Sequence, residues 1–403
     1  MVPAAGDTNS QSTRVVITGL GVVATCGIGK DAFFDGLCSP APSGPRRVND
    51  FDPSQWFGPK EVRRVDRFAQ FAVASAQMAL DDAGPLKVDP DRAGVSFGTG
   101  MGGLESLENQ TLMYAERGPE AGAKRISPFL IPMTMPNSAA ANISMRFGWH
   151  GPSETITTAC AAGTHAVAAG ASLIKSGRCD VVITGGAEAV LTAVSIAAFT
   201  NMTAISTTGI ARPFDIRRDG FVPAEGGAAI LLESLEHALA RDAHIYGELV
   251  GSASTSDAYH ITAPAPGGAG AARCMELALI SSGLTPSDIA HINAHGTSTP
   301  LNDLAEAEAI NKVFGIPGPP VTSIKGVTGH ALGAAGALEA VAVAMTIERR
   351  LIPPTAGYEE PDPEIHLDIV YGAPRAWDPG PVLSNSFGFG GHNGCIVLTP
   401  PAD

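Results

Sequence analysis

The sequence predicts an α/β protein built from two related halves, and two observations carry that expectation. Short β-rich runs ending in glycine alternate with alanine-rich helical stretches, the pattern of buried strands linked by crossover helices. The second half also echoes the first. A strand runs into TTACAAGTHAVAAG, where Cys160 opens a helix, and later a strand runs into SIKGVTGHALGAAG, where His330 opens another. Likewise VVITGGAEA from Val181 has a counterpart in VLSNSFGFGG from Val382. Internal similarity of this kind sets equivalent strand ends side by side.

In chain order, the expected strands of the first half are Val15–Thr18, Gly94–Phe97, Glu154–Thr157, Val181–Thr184 and Ala228–Leu232. The second series is Gly247–Gly251, His291–Asn293, Val321–Ile324, Val382–Ser384 and Cys395–Leu398. Between them, Arg67–Ala83, Ala161–Ser176, Asp303–Val313 and Ala331–Arg349 read as helices. The boundary is expected near Tyr246–Gly251. Residues 1–13 then form a flexible tail, 14–250 the half with the cysteine and 251–403 the half with the two histidines. The 47 glycines and 31 prolines predict many tight turns and close backbone contacts.

At 403 residues, 44% hydrophobic and 16% charged, the chain is long enough for a substantial core. Its six cysteines are scattered, with no CxxC pair. That disfavours a disulfide framework or a structural zinc site and predicts reduced thiols in a cytoplasmic setting. The first 13 residues contain neither a basic region nor an apolar run, so no secretory signal is expected. A formal net charge of −14 argues against nucleic acid or an anionic membrane as partner. The uncharged window Ala189–Ala211 has the length of a membrane span, but its Thr, Ser and Asn content predicts a buried core segment instead.

The chemistry-bearing residues fall at strand ends. Cys160 sits at a strand-to-helix junction, where a helix N-terminus favours thiolate and small neighbours admit a bulky thioester. Most free cysteines are simply buried hydrophobes, but none of the other five shares this junction. His295, in NAHGTSTPLND, has polar, turn-forming neighbours that suit a core histidine poorly. His330 follows Lys325 by five residues, again just past a strand. One Cys and two His at three strand ends supply what thioester chemistry needs: a nucleophile, and donors for a carbonyl oxyanion. The loop Ser384–Gly394 adds glycines that let an N–H point into a site, with Phe387 and Phe389 to seal it. GLGVVA (Gly19–Ala24) and GTGMGG (Gly98–Gly103) hint at a dinucleotide turn. Neither is followed by the strand ending in an acid that a ribose requires, so both read as close-packing turns.

With those residues in place, the chain resembles the β-ketoacyl-acyl-carrier-protein synthases, the elongating type above all, and their relatives in type II polyketide assembly. The resemblance runs from about Arg14 to Pro400. Its most specific pieces are TTACAAG, RPFDIRRDGFVPAEG, NAHGTSTP, SIKGVTGHALGAAG and NSFGFGGHNG. It implies a thiolase-like fold: two duplicated halves with mixed five-stranded sheets, in five α-β-α-β-α layers, in a dimer.

The resemblance also implies residue roles. Cys160 would take the acyl chain from the phosphopantetheine of an acyl carrier protein, and the backbone amides of Cys160 and Phe389 would form the oxyanion hole. His295 and His330 would serve malonyl decarboxylation, with Lys325 holding the site's charge and geometry. Thr297 and Thr299 would bind the pantetheine arm, Phe221 would shape the malonyl pocket, and Phe387 would line the site. Asp303 and Glu306 would support it. Met101 and Leu130 would line the acyl channel, the latter across a dimer interface.

No metal and no cofactor of the enzyme's own is implied. A thiolase would carry a second catalytic Cys near Ser386–Phe389, an initiating synthase an Asn in place of His330, and a chain-length factor no nucleophile. A polyketide or polyene ketosynthase paired with a Cys-less homologue is the alternative to a homodimer of fatty acid elongation. For docking an acidic carrier protein, the expected basic patch is Lys124, Arg125, Arg63, Arg64 and Arg67. Two nearby segments depart from the elongating type: Ser206–Arg212 is shorter, and a loop at Tyr114–Arg125 is longer.

Overall fold

The structure, a computed structural model, describes residues 13–402. Except for Thr13, the expected flexible tail lies outside the described residues. Ten principal strands are β1 (Val15–Ala24), β2 (Ala93–Gly98), β3 (Ser153–Ile156), β4 (Val181–Glu188), β5 (Gly226–Ser234), β6 (Gly247–Ser256), β7 (His291–Asn293), β8 (Val321–Thr322), β9 (Val382–Gly388) and β10 (His392–Thr399). The main helices are α1 (Arg67–Ala83), α2 (Leu104–Ala123), α3 (Ser138–Phe147), α4 (Ala162–Lys175), α5 (Ala193–Asn201), α6 (Ala269–Ser282), α7 (Pro300–Phe314) and α8 (Ala335–Arg349).

The strand order is β3-β2-β4-β5-β1 in the first half and β8-β7-β9-β10-β6 in the second. In each half the first three strands of that order run parallel, and the remaining pairings are antiparallel. The two orders are the same when each half is numbered from its own first strand, which is the duplication seen in the sequence. The sheets join edge to edge by a short antiparallel contact, Val16 with Glu248 and Ile17 with Gly247. The repeat therefore divides just before Gly247, and a division at residue 250 cuts into β6.

Alternation along the strands builds the layers. Val181, Ile183, Ala229 and Leu231 pack outward with α1 and α3, whereas Val182, Ala228, Ile230 and Leu232 face the centre. In the second half Leu383, Cys395 and Val397 pack outward on α6 and α7, while Val382, Ile396 and Leu398 turn inward. The centre holds α4 and α8, giving five α-β-α-β-α layers. Helix α8 is buried from Ala335 to Ile347, as an all-round apolar helix between two sheets must be.

Two local expectations are corrected. Of the stretch expected as a loop, Tyr114–Arg125, the part up to Ala123 is the end of α2, and Lys124 and Arg125 form the turn after it. That helix breaks at Gly118 (φ 72°) before Pro119 and then resumes. The window Ala189–Ala211 is not a core segment. It folds into α5 and its flanks, with Val194 63% exposed and Met202 also exposed. Among the described residues, no helix is long and apolar enough to cross a membrane.

Candidate active site

Cys160 sits in a single 3₁₀ turn, Ala159–Ala161, immediately before α4. Ala159 holds φ 51°, a left-handed conformation that a non-glycine residue adopts only when its surroundings impose it. That bend turns the cysteine out of the strand line toward the second half. Burial pushes the thiol up to about 12, against the pull of the Lys325 cation and the Phe389 backbone amide. The expectation that the helix N-terminus favours thiolate is thus outweighed by desolvation. The resting group is a thiol.

β9 and β10 deliver the opposite wall. A Cβ on Gly388 would fall 3.0 Å from the Cys160 nitrogen and 2.9 Å from the Thr158 carbonyl oxygen. Only glycine allows this approach, and it brings the Phe389 N–H into hydrogen-bonding contact with Cys160. Two backbone donors, those of Cys160 and Phe389, therefore flank the sulfur.

His295 follows β7, and its position is set through the backbone. Glu306 on α7 accepts from the His295 amide (2.8 Å), the Gly296 amide (2.7 Å) and the Asn385 side chain (3.2 Å). Burial pushes Glu306 up to about 7. Asp303, one turn earlier, accepts from the amides of Ser298 and Phe214, both held at positive φ. The hydroxyls of Thr297 and Thr299 lie 2.9 Å apart on the same loop.

His330 follows the short helical turn Lys325–Thr328, and its amide donates to the Val222 carbonyl (2.7 Å). The two imidazoles stand edge to face, 5.3 Å between centroids. Phe221 lies edge-on to His330 at 5.4 Å, and Phe387 edge-on to His295 at 5.9 Å. Burial first, and the Lys325 cation second, hold both imidazoles well below their ordinary range. They are neutral at physiological pH, and Nδ1 of each is enclosed without a hydrogen-bond partner among the described residues.

Lys325 is buried near both. Its Nζ donates to the His295 carbonyl (2.6 Å) and pairs with Glu339 of α8. Glu339 also accepts from Ser386 (3.3 Å), whose hydroxyl lies 2.7 Å from that of Thr164 on the nucleophile's helix. Burial pushes Glu339 up to about 7 despite Lys325.

A cavity of about 380 Å³ opens onto these groups. Cys160, His295, His330, Phe221, Phe387 and Phe389 line it, and Thr297 and Thr299 border its course to the surface at Thr262 and Leu301. A buried nucleophile reached through a mostly apolar cavity suits a substrate presented on a long arm.

Other expected residues lie elsewhere. Met101 is 44% exposed, Leu130 is half-buried, and neither lines the cavity of the single chain. Lys124, Arg125, Arg63 and Arg64 are exposed, with Arg64 over the Phe129 ring at 4.5 Å. Arg67 is no docking residue. It makes a two-nitrogen contact with buried Glu225 (2.7 Å at closest), donates to the Val48 carbonyl and stacks on Phe71, so its charge is spent internally. Sequence reasoning missed Glu339, although a lone carboxylate inside the uncharged run GAAGALEAVAVAMT was a usable signal. It also missed Glu188, whose contacts only the fold reveals.

Comparison with known proteins agrees with this geometry. The β-ketoacyl synthase N-terminal domain matches residues 43–238 and the C-terminal domain residues 246–359. A 3-oxoacyl-[acyl-carrier-protein] synthase 2 of Synechocystis sp. is 44% identical, covering 96% of this chain and 97% of that protein. The protein of the same name from Staphylococcus aureus is 40% identical, covering 96% and 99%. Among solved structures, the ishigamide ketosynthase/chain length factor aligns with TM-score 0.91 at 34% identity, over 97% of this chain and all of that one. A type II polyketide ketosynthase bound to its acyl carrier protein aligns with TM-score 0.89 at 33% identity, over the same shares.

Proposed function

The chain belongs to the β-ketoacyl synthase family, and on that premise we propose how its residues divide the work. The activity is that of a 3-oxoacyl-[acyl-carrier-protein] synthase in fatty acid elongation, an acyltransferase that condenses with loss of CO2. The observation carrying the assignment of residues is the convergence of Cys160 and two neutral imidazoles on the wall of one cavity.

In the first half-reaction the Cys160 sulfur attacks the acyl thioester on the carrier protein's pantetheine. The amides of Cys160 and Phe389 hold the oxyanion. The thiol proton leaves with the pantetheine sulfur, and the acyl group stays on Cys160. A thiol with so high a resting pKa gives up its proton during attack, which guards it against stray electrophiles.

The malonyl thioester then enters along the same passage, its arm beside Thr297 and Thr299. Its carboxylate departs as CO2, and the bond electrons form an enolate. A neutral imidazole donates from one nitrogen only, so Nε2–H of His295 and His330 hold the enolate oxygen. The enolate carbon attacks the Cys160 thioester, whose collapse releases the 3-oxoacyl thioester and expels the Cys160 thiolate, which takes a proton from solvent to become the resting thiol again. Splitting one condensation into transfer and attack gives ping-pong kinetics. Lys325 and Glu339 set the field, and Lys325 opposes any positive charge on the imidazoles.

The substrate carries its own prosthetic arm, and the scheme asks for no metal or redox cofactor. The carrier protein docks where Lys124, Arg125, Arg63 and Arg64 are exposed, in the cytoplasm. A dimer is supported by the open edge of β3 and by the exposed apolar side chains Met101, Leu107, Leu112, Ile131, Met135 and Met145 of the same half. Native mass of the isolated chain tests this: twice the chain mass supports a homodimer, and a monomer that pairs only with a Cys-less homologue supports the polyketide arrangement. The activity itself is tested by supplying acyl and malonyl carrier protein together. Formation of 3-oxoacyl carrier protein with equimolar CO2 is expected, and CO2 release without a condensed product overturns the assignment.

A further inference from the structure

Glu188 ends β4 and is fully buried, and the mechanism above makes no use of it. Its carboxylate collects four donors. Oε1 accepts from the Thr99 hydroxyl (3.2 Å) and the Met101 amide (3.2 Å), and Oε2 from the amides of Gly100 (2.6 Å) and Gly333 (3.0 Å). Three of these donors belong to the loop after β2, in the first half. The fourth lies in the turn Leu332–Ala334 that leads into α8, in the second. One carboxylate thereby joins the two halves. The join is tight: a Cβ on Gly333 would fall 2.2 Å from the Gly100 nitrogen, and one on Gly186 2.7 Å from the Gly333 oxygen.

What these two segments carry lies beside the nucleophile. Leu332, held at φ 43°, and Leu104, just past the loop, pack with Val190 and Phe199 around Cys160. This apolar group borders the sulfur, where the first carbons of a chain carried on Cys160 must lie. We propose that Glu188 is a positioning residue that fixes both segments against Cys160 and so sets the room for the acyl group next to the thioester. The inference rests on Cys160 being the acyl-bearing residue.

The chemistry of the four donors makes the role separable from mere filling of space. Three are backbone N–H groups that cannot accept, whereas the Thr99 hydroxyl can do either. A Glu188→Gln side chain has one favourable orientation, with its oxygen toward Gly100 and Gly333 and its NH2 toward Thr99. The Met101 amide is then left facing an NH2 group. That variant loses the Met101 anchor of the loop while keeping Gly100, Thr99 and the turn, although it has the volume of the parent. Glu188→Ala releases both segments.

The test compares the parent, Glu188→Gln and Glu188→Ala. Acyl loading from C4, C8 and C12 carrier-protein thioesters is followed by intact mass, and CO2 release from malonyl carrier protein is measured alongside. Thermal unfolding monitors the fold. Glu188→Gln is expected to shift the C12-to-C4 loading ratio at least fivefold, and to slow loading at least tenfold more than decarboxylation. Glu188→Ala is expected to slow both half-reactions. A Gln variant whose chain-length ratio stays within twofold of the parent overturns the proposal, and so does a loss of all rates in step with the folded fraction. Loading of the parent at Cys160 separates the two claims: its absence overturns the assignment of function itself.

Discussion

Gly388→Ala adds one methyl group at the wall of the oxyanion hole. The new Cβ would lie 2.9 Å from the Thr158 oxygen, 3.0 Å from the Cys160 nitrogen and 3.1 Å from the Ala161 nitrogen, all backbone atoms. Each contact is about half an ångström inside comfortable van der Waals distance, and no flexible side chain is there to yield. Either β9 or the turn Ala159–Ala161 must move by that amount. Hydrogen bonds work within a window of roughly 2.7–3.2 Å, so the shift takes a donor off the oxyanion. Loss of one such donor costs about 10²–10³ in rate. Global stability falls by only about 1–3 kcal/mol, the usual consequence of overpacking. The assay is acyl transfer from carrier protein to Cys160 followed by rapid quench and intact mass, with thermal unfolding alongside. We expect a loss of about a hundredfold in a folded protein. Transfer within threefold of the parent would refute the inference that these two amides serve the oxyanion.

Three further expectations follow from the same geometry. Replacing His295 or His330 by Ala should lower malonyl decarboxylation about 10²–10³-fold while acyl loading of Cys160 persists; decarboxylation at the parent rate in both variants would exclude their role. Charge reversal at Lys124 and Arg125 should raise KM for carrier-protein thioesters far more than for small thioester mimics, less so at high salt. Arg67→Ala should instead lower the melting temperature, because it strands buried Glu225, and equal effects of both changes on both substrates would contradict the distinction. His291 is buried with both ring nitrogens unpartnered among the described residues, and desolvation pushes it down to about 3. The unfolded chain therefore binds a proton there from about pH 6.5 downward that the folded chain refuses, so stability is lost as pH falls from about 6.5 to about 3. The contribution reaches about 5 kcal/mol at the acid end. His291→Leu should raise the melting temperature at pH 5 relative to the parent more than at pH 8, and an equal change at both would exclude titration at this site.

Most of the ten strands were legible as short apolar runs close to glycine or proline, and the duplication was legible because both halves repeat a strand running into a small-residue helix. The nucleophile and the two histidines were legible for a related reason: polar or reactive residues at the ends of apolar strands have little to do in a core. What the sequence concealed depends on contacts between distant segments. Glu188 and Gly333 lie 145 positions apart and meet only once both halves have folded. Arg67 looked like part of a basic patch until Glu225 and Phe71 were seen to claim it. The Cys160 ionisation was misjudged because a helix terminus is visible in a sequence and the depth of burial is not. The window Ala189–Ala211 looked like core because it is uncharged. The fold leaves much of it on the surface, on the same half that exposes Met101 and Ile131.

The central claim is that Cys160 alone carries the growing chain between two half-reactions. Its most direct test is to load the protein with a C8 carrier-protein thioester, map the adduct by peptide mass, then add malonyl carrier protein and follow both species. The account predicts a single acyl adduct on the peptide containing Cys160, discharged after malonyl addition as 3-oxodecanoyl carrier protein forms in equal amount. An adduct on Cys179 or Cys395 with Cys160 unmodified, or an acyl-Cys160 that malonyl carrier protein does not discharge, would contradict it.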